Sequence, residues 1–249
     1  MKKNNIFISV VMLLTLVLAA CGSAPTQEPT IEAVVEQEVE VVEDPMQVCA
    51  DGIKLPGKPD YPLSYCDDFE DDSLMSGVED ESKYMDLTSN VYNGKLAVRM
   101  IVKKLSEAYL LTPVENARDF VIQVDGAMAS HSGHPYHKWG IMFKYDHEEE
   151  SYYYFLIDNN SMYYFKLIRG DRVTNLINGR KTEDLNPLEE VNTIAVASKG
   201  DTYSFYINGE FQEDFKDNRL LTGDLGLYFI VDANTTLDWE FDNLVVYAQ

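Results

Sequence analysis

Basic residues are scarce in this chain. Its 249 residues include 20 lysines and arginines but 42 aspartates and glutamates, which gives a formal net charge of −22 at pH 7. Such a charge repels phosphates, so it excludes nucleic acid as a partner. It also excludes a polybasic attachment to anionic lipid head groups. The acidic balance is typical of a well-solvated secreted surface.

Long apolar runs are rare as well, and the one at residues 6–17 is too short for a membrane span. It follows the basic Lys2 and Lys3 and leads into Leu-Ala-Ala-Cys at residues 18–21. This pattern resembles the signal of bacterial lipoproteins. The resemblance implies a signal peptide over residues 1–20, an acyl chain such as palmitate on Cys21, and a lipid-anchored place in the bacterial cell envelope, facing outside the cytoplasm. The alternative is an ordinary secretory signal that leaves Cys21 as a free thiol.

Residues 21–60 lack the pattern of a folded domain. Residues 28–44 alternate valines with acids and contain no basic residue. Valine is a weak helix former and like charges repel each other, so we predict an acidic flexible linker over residues 21–60.

Cysteine is limited to three residues. Besides Cys21 there are only Cys49 and Cys66, and in an oxidising compartment such a pair predicts a disulfide. Two free thiols are the alternative. No cysteine or histidine lies near the pair, which excludes a zinc site.

Helix signals are almost absent from residues 61–249. Phe120, Ile122 and Val124 alternate with Val121, Gln123 and Asp125, as in a half-buried strand. The Asn-Gly pairs at residues 208–209 and 178–179 predict hairpin turns. About a dozen short strands favour one all-β domain, an antiparallel β-sandwich over residues 61–249.

Residues 139–168 form the centre of this prediction, because they contain three aromatic-rich runs separated by two polar turns. A two-residue turn at Asn159-Asn160 would place Asp158 opposite Ser161, and the longer turn before it would place Tyr145 opposite Tyr152. This register predicts a core face made of Trp139, Ile141, Phe143, Tyr145, Tyr152, Tyr154, Leu156, Tyr163, Phe165 and Leu167.

The same register predicts an opposite face that combines aromatic rings with charge. Sugars stack their apolar C–H faces on such rings while polar side chains fix the hydroxyls. The alternative is that another element covers this face, which would make it part of the core. The predicted ligand-binding residues are Tyr153, Phe155 and Tyr164, with Lys144, Lys166, Gln123 and Asp125 as polar partners on neighbouring strands.

Five short motifs occur in a suggestive order: DDFED at residues 67–71, WGIMFKY at 139–145, YING at 206–209, GDLGL at 223–227 and FDNLVV at 241–246. Together they resemble the concanavalin A-like lectin/glucanase superfamily, in particular its laminin-G-like and keto-disaccharide-hydrolase-like bacterial domains. The resemblance implies a jelly roll of two curved antiparallel sheets, with ligands on the concave face or its rim. It does not imply catalysis, because the same sandwich carries lectins, adhesive modules and hydrolases.

Asp238, Glu240 and Asp242 project from one face of a predicted strand. Glucanases of the superfamily carry Glu-x-Asp-x-Glu at this spacing, and retaining hydrolysis needs two carboxyls about 5 Å apart. Here the outer residues are aspartates and the run lies on the last strand. Trp239 and Phe241 supply the buried alternation, so we predict that the three acids face solvent.

Metal sites have weak support. His131, His134 and His137 could hold a transition metal, but no neighbouring carboxylate or cysteine completes the set, which favours a plain polar loop. The acidic residues 67–71 with Asp242 could hold a structural calcium ion, although the spacing lacks the EF-hand pattern. We therefore predict no metal and no cofactor, with structural calcium as the alternative.

These features favour a surface-anchored lipoprotein with a non-catalytic glycan-binding β-sandwich. Its expected partners are an extracellular glycan and, through Cys21, a membrane. Two rival functions stay open: a glycoside-cleaving enzyme related to keto-disaccharide hydrolases, and a structural or adhesive envelope module with a protein partner.

Overall fold

The computed structural model describes residues 45–51, 60–132, 136–187 and 189–249. The predicted signal peptide, Cys21 and most of the predicted linker lie outside these residues. Within them the chain forms two antiparallel sheets and one short helix, α1 (Pro45–Asp51). This confirms the predicted antiparallel sandwich.

The larger sheet has nine strands and runs in the order β13-β12-β11-β6-β15-β4-β3-β2, with β1 paired to the second half of β15. Its strands are β1 (Leu63–Asp67), β2 (Val78–Glu81), β3 (Met85–Val91), β4 (Leu96–Val102), β6 (Phe120–Ser132), β11 (Asn192–Lys199), β12 (Thr202–Ile207), β13 (Glu210–Lys216) and β15 (Thr235–Ala248).

The smaller sheet has six strands in the order β10-β9-β8-β7-β14-β5. Three of its strands follow one another as the predicted meander. The strands are β5 (Ser106–Leu111), β7 (His137–Asp146), β8 (Ser151–Asp158), β9 (Met162–Arg169), β10 (Arg172–Lys181) and β14 (Asp224–Val231).

The core lies between the two sheets, where alternate residues of each strand meet. Trp139 of β7 packs edge-on against Phe241 of β15, with 5.2 Å between the ring centroids. Gly126 leaves room for both rings, because a Cβ atom there would lie 2.7 Å from each of them. The core therefore depends on matched large and small residues from opposite sheets.

The predicted face assignment was wrong for β8. The bulge at Lys144, whose φ is 54°, pairs Phe143 with Tyr153. The next turn holds three residues instead of two, with Ser161 at φ 57°, so that Ile157 pairs with Tyr163. Each change shifts the register by one residue and reverses the faces. β8 lies between them and is inverted, whereas the faces of β9 are as predicted.

Consequently Tyr153 and Phe155 are buried in the core, together with Ile157. Tyr145, Tyr152, Tyr154 and Leu156, which were predicted as core, contribute to a second cluster on the outer side of the six-stranded sheet. The predicted core positions of Trp139, Ile141, Phe143, Tyr163, Phe165 and Leu167 are confirmed.

The two Asn-Gly pairs behave differently. Asn208 and Gly209 both have positive φ and connect β12 to β13, which confirms the predicted hairpin. The prediction for Asn178-Gly179 was wrong, because both residues lie inside β10. Gly179, at φ 77°, occupies an irregular stretch of the pairing with β9, so the glycine allows a bulge instead of a turn.

Helix α1 falls within the predicted linker. A disulfide joins its Cys49 to Cys66 of β1, with an S–S distance of 2.12 Å, which confirms the predicted bridge. Proline at the first helical position suits a helix start. At seven residues, the one helix that the structure describes is too short and too polar to cross a bilayer.

Candidate ligand-binding face

Six tyrosines share the outer face of the six-stranded sheet, the face turned away from the core. Cross-strand partners point to the same side of a sheet, so the pairing defines this group. Tyr228 of β14 lies opposite Tyr109 of β5, and Leu156 of β8 lies opposite Tyr164 of β9. We call the set the tyrosine face: Tyr109, Tyr145, Tyr152, Tyr154, Tyr164 and Tyr228.

Tyr228 is the centre of the tyrosine face. Its ring stacks on that of Tyr154, with 5.2 Å between centroids and 20° between the planes. Its hydroxyl lies 2.7 Å from the hydroxyl of Tyr152 and donates a hydrogen bond to the carboxylate of Glu107. Gly140, opposite Tyr228 on β7, has no side chain to compete for this space. Packing and hydrogen bonds together hold these rings in place.

Tyr109 and Tyr145 form a more open part of the face. Their hydroxyls are 3.3 Å apart, and Tyr109 is 43% exposed. The ring of Tyr145 contacts His147, and the Nε2 atom of His147 lies 2.8 Å from Asp224. A ligand approaching this end would meet an exposed ring with polar groups at its edge.

Tyr164 occupies the opposite side of the face. Its hydroxyl donates to Asp158 Oδ2 at 2.8 Å, and the ammonium group of Lys138 lies 3.5 Å from its ring centroid. The same carboxylate accepts bonds from the backbone N–H groups of Asn160 and Met162, so Asp158 also fixes the three-residue turn.

Burial raises the pKa of the phenols of Tyr145, Tyr152, Tyr154, Tyr164 and Tyr228. Glu107 adds to this effect at Tyr228, because a nearby negative charge disfavours a phenolate. These five phenols therefore stay protonated at neutral pH. They offer neutral rings and hydrogen-bond donors rather than nucleophiles.

The predicted site residues do not come together. Tyr164 and Lys166 lie on the tyrosine face, and their binding role stays a prediction. Tyr153 and Phe155 lie in the core because β8 is inverted. Lys144 is fully buried at the bulge, with its Nζ atom 4.9 Å from the ring centroid of Tyr203 and without a hydrogen-bond partner among the described residues.

Gln123 and Asp125 were expected on strands next to the tyrosine-rich hairpins, and this placement was wrong. Both belong to β6, in the nine-stranded sheet. Asp125 accepts hydrogen bonds from Thr193 and Asn243 of that sheet. The alternation of apolar and polar residues correctly placed Gln123 and Asp125 on the side of the strand opposite to Phe120 and Ile122. It does not show which sheet the strand joins.

Five members of the tyrosine face were missing from the predicted site. Tyr152 and Tyr154 were assigned to the core, and Tyr145 with them. Tyr228 occupies the alternate position between the core residues Leu227 and Phe229, which is a signal that the sequence carries. Tyr109 carries the same signal, because it lies between the core residues Ala108 and Leu110, but the sequence does not show which sheet this strand joins.

The acidic run on β15 lies as expected. Trp239 and Phe241 are fully buried, whereas Asp238, Glu240 and Asp242 are partly exposed. Lys95 pairs with Glu240 at 2.8 Å, and Arg99 approaches Asp238 at 3.5 Å. The run lies on the sheet opposite to the tyrosine face and has its own ion-pair partners.

The candidate metal ligands are dispersed. His131 is exposed near the end of β6, His137 is buried with its ring 6.0 Å from that of Trp239, and His134 lies outside the described residues. Asp67 accepts hydrogen bonds from Tyr65, Phe69 and Ser73. No group of three or more metal-ligating side chains occurs in the part of the chain that the structure describes.

No protein-family model matches the chain, and no curated protein matches its sequence. Solved structures do match its fold. An endo-β-galactosidase from Clostridium perfringens that releases GlcNAcα1-4Gal superposes with a TM-score of 0.56 at 10% identity, covering 78% of this chain and 64% of that one. The laminarinase catalytic domain from Thermotoga maritima gives 0.52 at 9% identity, covering 77% and 99%.

A carbohydrate recognition domain, that of Emp47p, is also similar, with a TM-score of 0.50 and 12% identity over 77% of this chain and 99% of the other. At these identities the likeness shows the fold alone. The fold is a jelly-roll sandwich of the concanavalin A-like type, and its structural neighbours include both carbohydrate-binding and carbohydrate-cleaving domains.

Proposed function

We propose that this protein is a non-catalytic glycan-binding module whose ligand lies on the tyrosine face. One observation carries the proposal: six tyrosines share one outer sheet face, and the hydroxyls of five of them form hydrogen bonds with one another or with the carboxylates of Glu107 and Asp158. Glycans bind through rings that stack on C–H faces and polar groups that meet hydroxyls. Neighbours of the same fold that bind or act on carbohydrates support the proposal.

Pre-organisation favours this face as a binding surface. Tyr152, Tyr154 and Tyr228 contact one another, so little side-chain freedom remains to be lost on binding. Tyr109 supplies the exposed ring. The phenol of Tyr145 beside it supplies a hydrogen-bonding group at the edge of the ring.

The positions of the acids support binding over hydrolysis. The strands of this sheet carry four described acids, Glu107, Asp146, Asp158 and Asp224. Asp146 pairs with Ser151, the neighbour of Tyr152, and therefore lies on the side opposite to the tyrosine face, which leaves Glu107, Asp158 and Asp224 on the face itself. Glu107, Ile230, Lys138 and Asp158 form one row across β5, β14, β7 and β8. Three strand spacings separate the backbones of the two acids by roughly 14 Å.

Asp224 is six residues from Ile230 along β14, and therefore roughly 20 Å from that row. Glycosidases place their two carboxyls about 5–9.5 Å apart. No pair of these three acids has that separation at its backbone positions, and Glu107 and Asp158 are held by Tyr228 and Tyr164.

We also propose that lipid on Cys21 holds the module at the outside of a bacterial cell. The support is the order of basic residues, apolar run and Leu-Ala-Ala-Cys box at residues 1–21. Cys21→Ser should abolish incorporation of radiolabelled fatty acid. Label that still enters the Ser variant would overturn the anchor.

A glycan array with the full chain in detergent tests the binding function, followed by titration of the best ligand. Tyr109→Ala and Tyr164→Ala should each weaken binding by about five-fold or more, as expected for aromatic anchors. Tyr92→Ala, an equally drastic change at a 69% exposed tyrosine after β3, is the matched control. Binding that survives both face variants, or release of reducing ends from the ligand, would contradict the proposal.

A further inference from the structure

The tyrosine face carries two lysines in a strongly acidic protein. Lys138 of β7 is buried, and its ammonium group lies 3.5 Å from the ring centroid of Tyr164 and 5.3 Å from that of Tyr136. Lys166 of β9 is half-buried, with its ammonium group 5.8 Å from the Tyr164 centroid. The ammonium groups of both lysines therefore lie near the ring of Tyr164.

Among the residues that the structure describes, neither lysine has a salt-bridge partner. Within the described ranges, no carboxylate oxygen lies within 4.0 Å of either ammonium group. Asp158 is the cross-strand partner of Lys138, but its oxygens accept bonds from two backbone N–H groups and from the Tyr164 hydroxyl. Glu107, on β5, accepts from Tyr228.

The position of Lys166 makes it the accessible cation. It lies directly opposite Tyr154 on β8 and Asn175 on β10, and two residues after Tyr164 on its own strand. The ring of Tyr154 is buried, so a sugar would stack on the half-buried ring of Tyr164, with its substituents beside the ammonium group and the exposed Asn175 amide. Ammonium and amide N–H groups are donors suited to an anionic oxygen.

We infer that the glycan taken by the tyrosine face carries an acidic group, a carboxylate or a sulfate, which binds at Lys166. The inference rests on the glycan-binding function proposed above and narrows it to acidic glycans. The inference is supported by Lys166, whose ammonium group has no salt-bridge partner among the described residues. Burial lowers the pKa of Lys166 and the charge of Lys138 lowers it further, while Glu107 offsets only part of the effect. A bound anion would relieve this unfavourable environment.

Two matched pairs of probes test the inference by calorimetry with the full chain in detergent. One pair is an oligogalacturonate and its fully methyl-esterified form. The other is a sulfated galactan oligosaccharide and its desulfated form. We expect at least one acidic probe to bind about ten-fold more tightly than its neutral counterpart, and added NaCl to reduce that ratio. The pair that shows the preference identifies carboxylate or sulfate.

Variants then assign the preference to one residue. Lys166→Gln should bring the acidic-to-neutral affinity ratio close to one, and Lys166→Arg should retain the preference. Lys199→Gln, on β11 of the other sheet, changes the net charge equally and should leave the ratio unchanged. Urea unfolding of each variant verifies that the fold is intact.

Two results would overturn the inference. One is that neither acidic probe binds more tightly than its neutral form. The other is that a preference survives Lys166→Gln. If neutral glycans bind and Tyr109→Ala weakens them, the glycan-binding function stands while the acidic preference fails. If no saccharide on the array or among the probes binds, both proposals fail.

Discussion

The hydroxyl of Tyr152 lies 2.7 Å from the hydroxyl of Tyr228, although the two residues are 76 positions apart in the chain. β8 and β14 are not neighbours, since β7 runs between them. Tyr228 continues the connection by donating to Glu107 on β5, so one chain of polar contacts crosses the face from β8 to β5. Partly buried networks of this kind constrain the side chains they join.

This network predicts coupling between the two tyrosines. Tyr228→Phe should lower the free energy of unfolding by about 1–3 kcal/mol, because it leaves Glu107 and Tyr152 without their shared partner. Tyr152→Phe removes only one end and should cost less. Urea unfolding of both single variants and the double variant should give an interaction energy of at least about 0.5 kcal/mol. If the stability losses of the two single variants add up to that of the double variant, the two hydroxyls act independently.

The inverted β8 predicts opposite effects at two tyrosines. Tyr153 is fully buried and donates to Asp217 Oδ1 at 2.5 Å, so Tyr153→Ala should destabilise the domain by about 3–5 kcal/mol. Tyr109 is 43% exposed and lies at the surface, and Tyr109→Ala should therefore cost far less, about 0.5 kcal/mol. Chemical unfolding measures both. Equal losses at the two positions would contradict the register of β8.

Lys144 predicts a distinctive pH dependence of stability. Burial lowers its pKa to about 8 in the folded protein, well below its usual 10.5, with Asp119 acting in the opposite direction. The unfolded chain therefore binds the proton more tightly. The resulting destabilisation is fully present below pH 8 and is relieved as the pH rises from 8 toward 10.5.

Lys144→Met should remove this dependence and stabilise the protein at pH 7 by about 1–3 kcal/mol, since each pKa unit corresponds to about 1.4 kcal/mol. Urea midpoints between pH 7.5 and 9.5 provide the measurement. Higher values are unsuitable because the raised pKa of buried tyrosines such as Tyr228 lowers stability once the unfolded phenols ionise. A wild-type midpoint that stays level across this range would refute the assignment.

The Cys49–Cys66 bridge closes a loop with a sequence separation of 17. The double variant Cys49→Ser/Cys66→Ser should lose about 2–3 kcal/mol of stability in the chain-entropy model. Hydrogen exchange should accelerate at residues 45–51, because α1 contacts the fold through β1. Exchange in the centre of β7 should change much less.

Alternation in the sequence was sufficient to predict the sandwich, the core positions of Trp139 and Phe143, and the exposed acids of β15. It was insufficient for β8, since residues 152–157 are all aromatic or aliphatic and both faces of the strand are apolar. Only the register in which β8 pairs with its neighbours could decide which of its two faces is buried. The register depended on left-handed backbone at Lys144 and Ser161, which neither residue type favours.

Long-range pairing limited the site prediction further. Tyr109, Gln123 and Asp125 each lie on a strand whose sheet is fixed by partners far away in sequence. The Cys49–Cys66 pair could be predicted because only these two cysteines remain besides Cys21, which was assigned to the predicted lipid attachment. The tyrosine face required strands from residues 106–111, 137–169 and 224–231 to assemble first.

The length of the turn held by Asp158 sets the register between β8 and β9, and with it which side chains of these strands lie on the outer surface. Deleting Ser161 would restore the two-residue connection and shift the pairing of β8 with β9 by one residue. The bulge at Lys144 fixes the pairing of β8 with β7 in the same way, so removing both features would exchange Tyr152 and Tyr154 for Tyr153 and Phe155 on the outer surface and leave the faces of β9 unchanged. Because β8 is apolar on both sides, either set of side chains can be buried, and two changes of one residue each would replace the side chains that this strand displays.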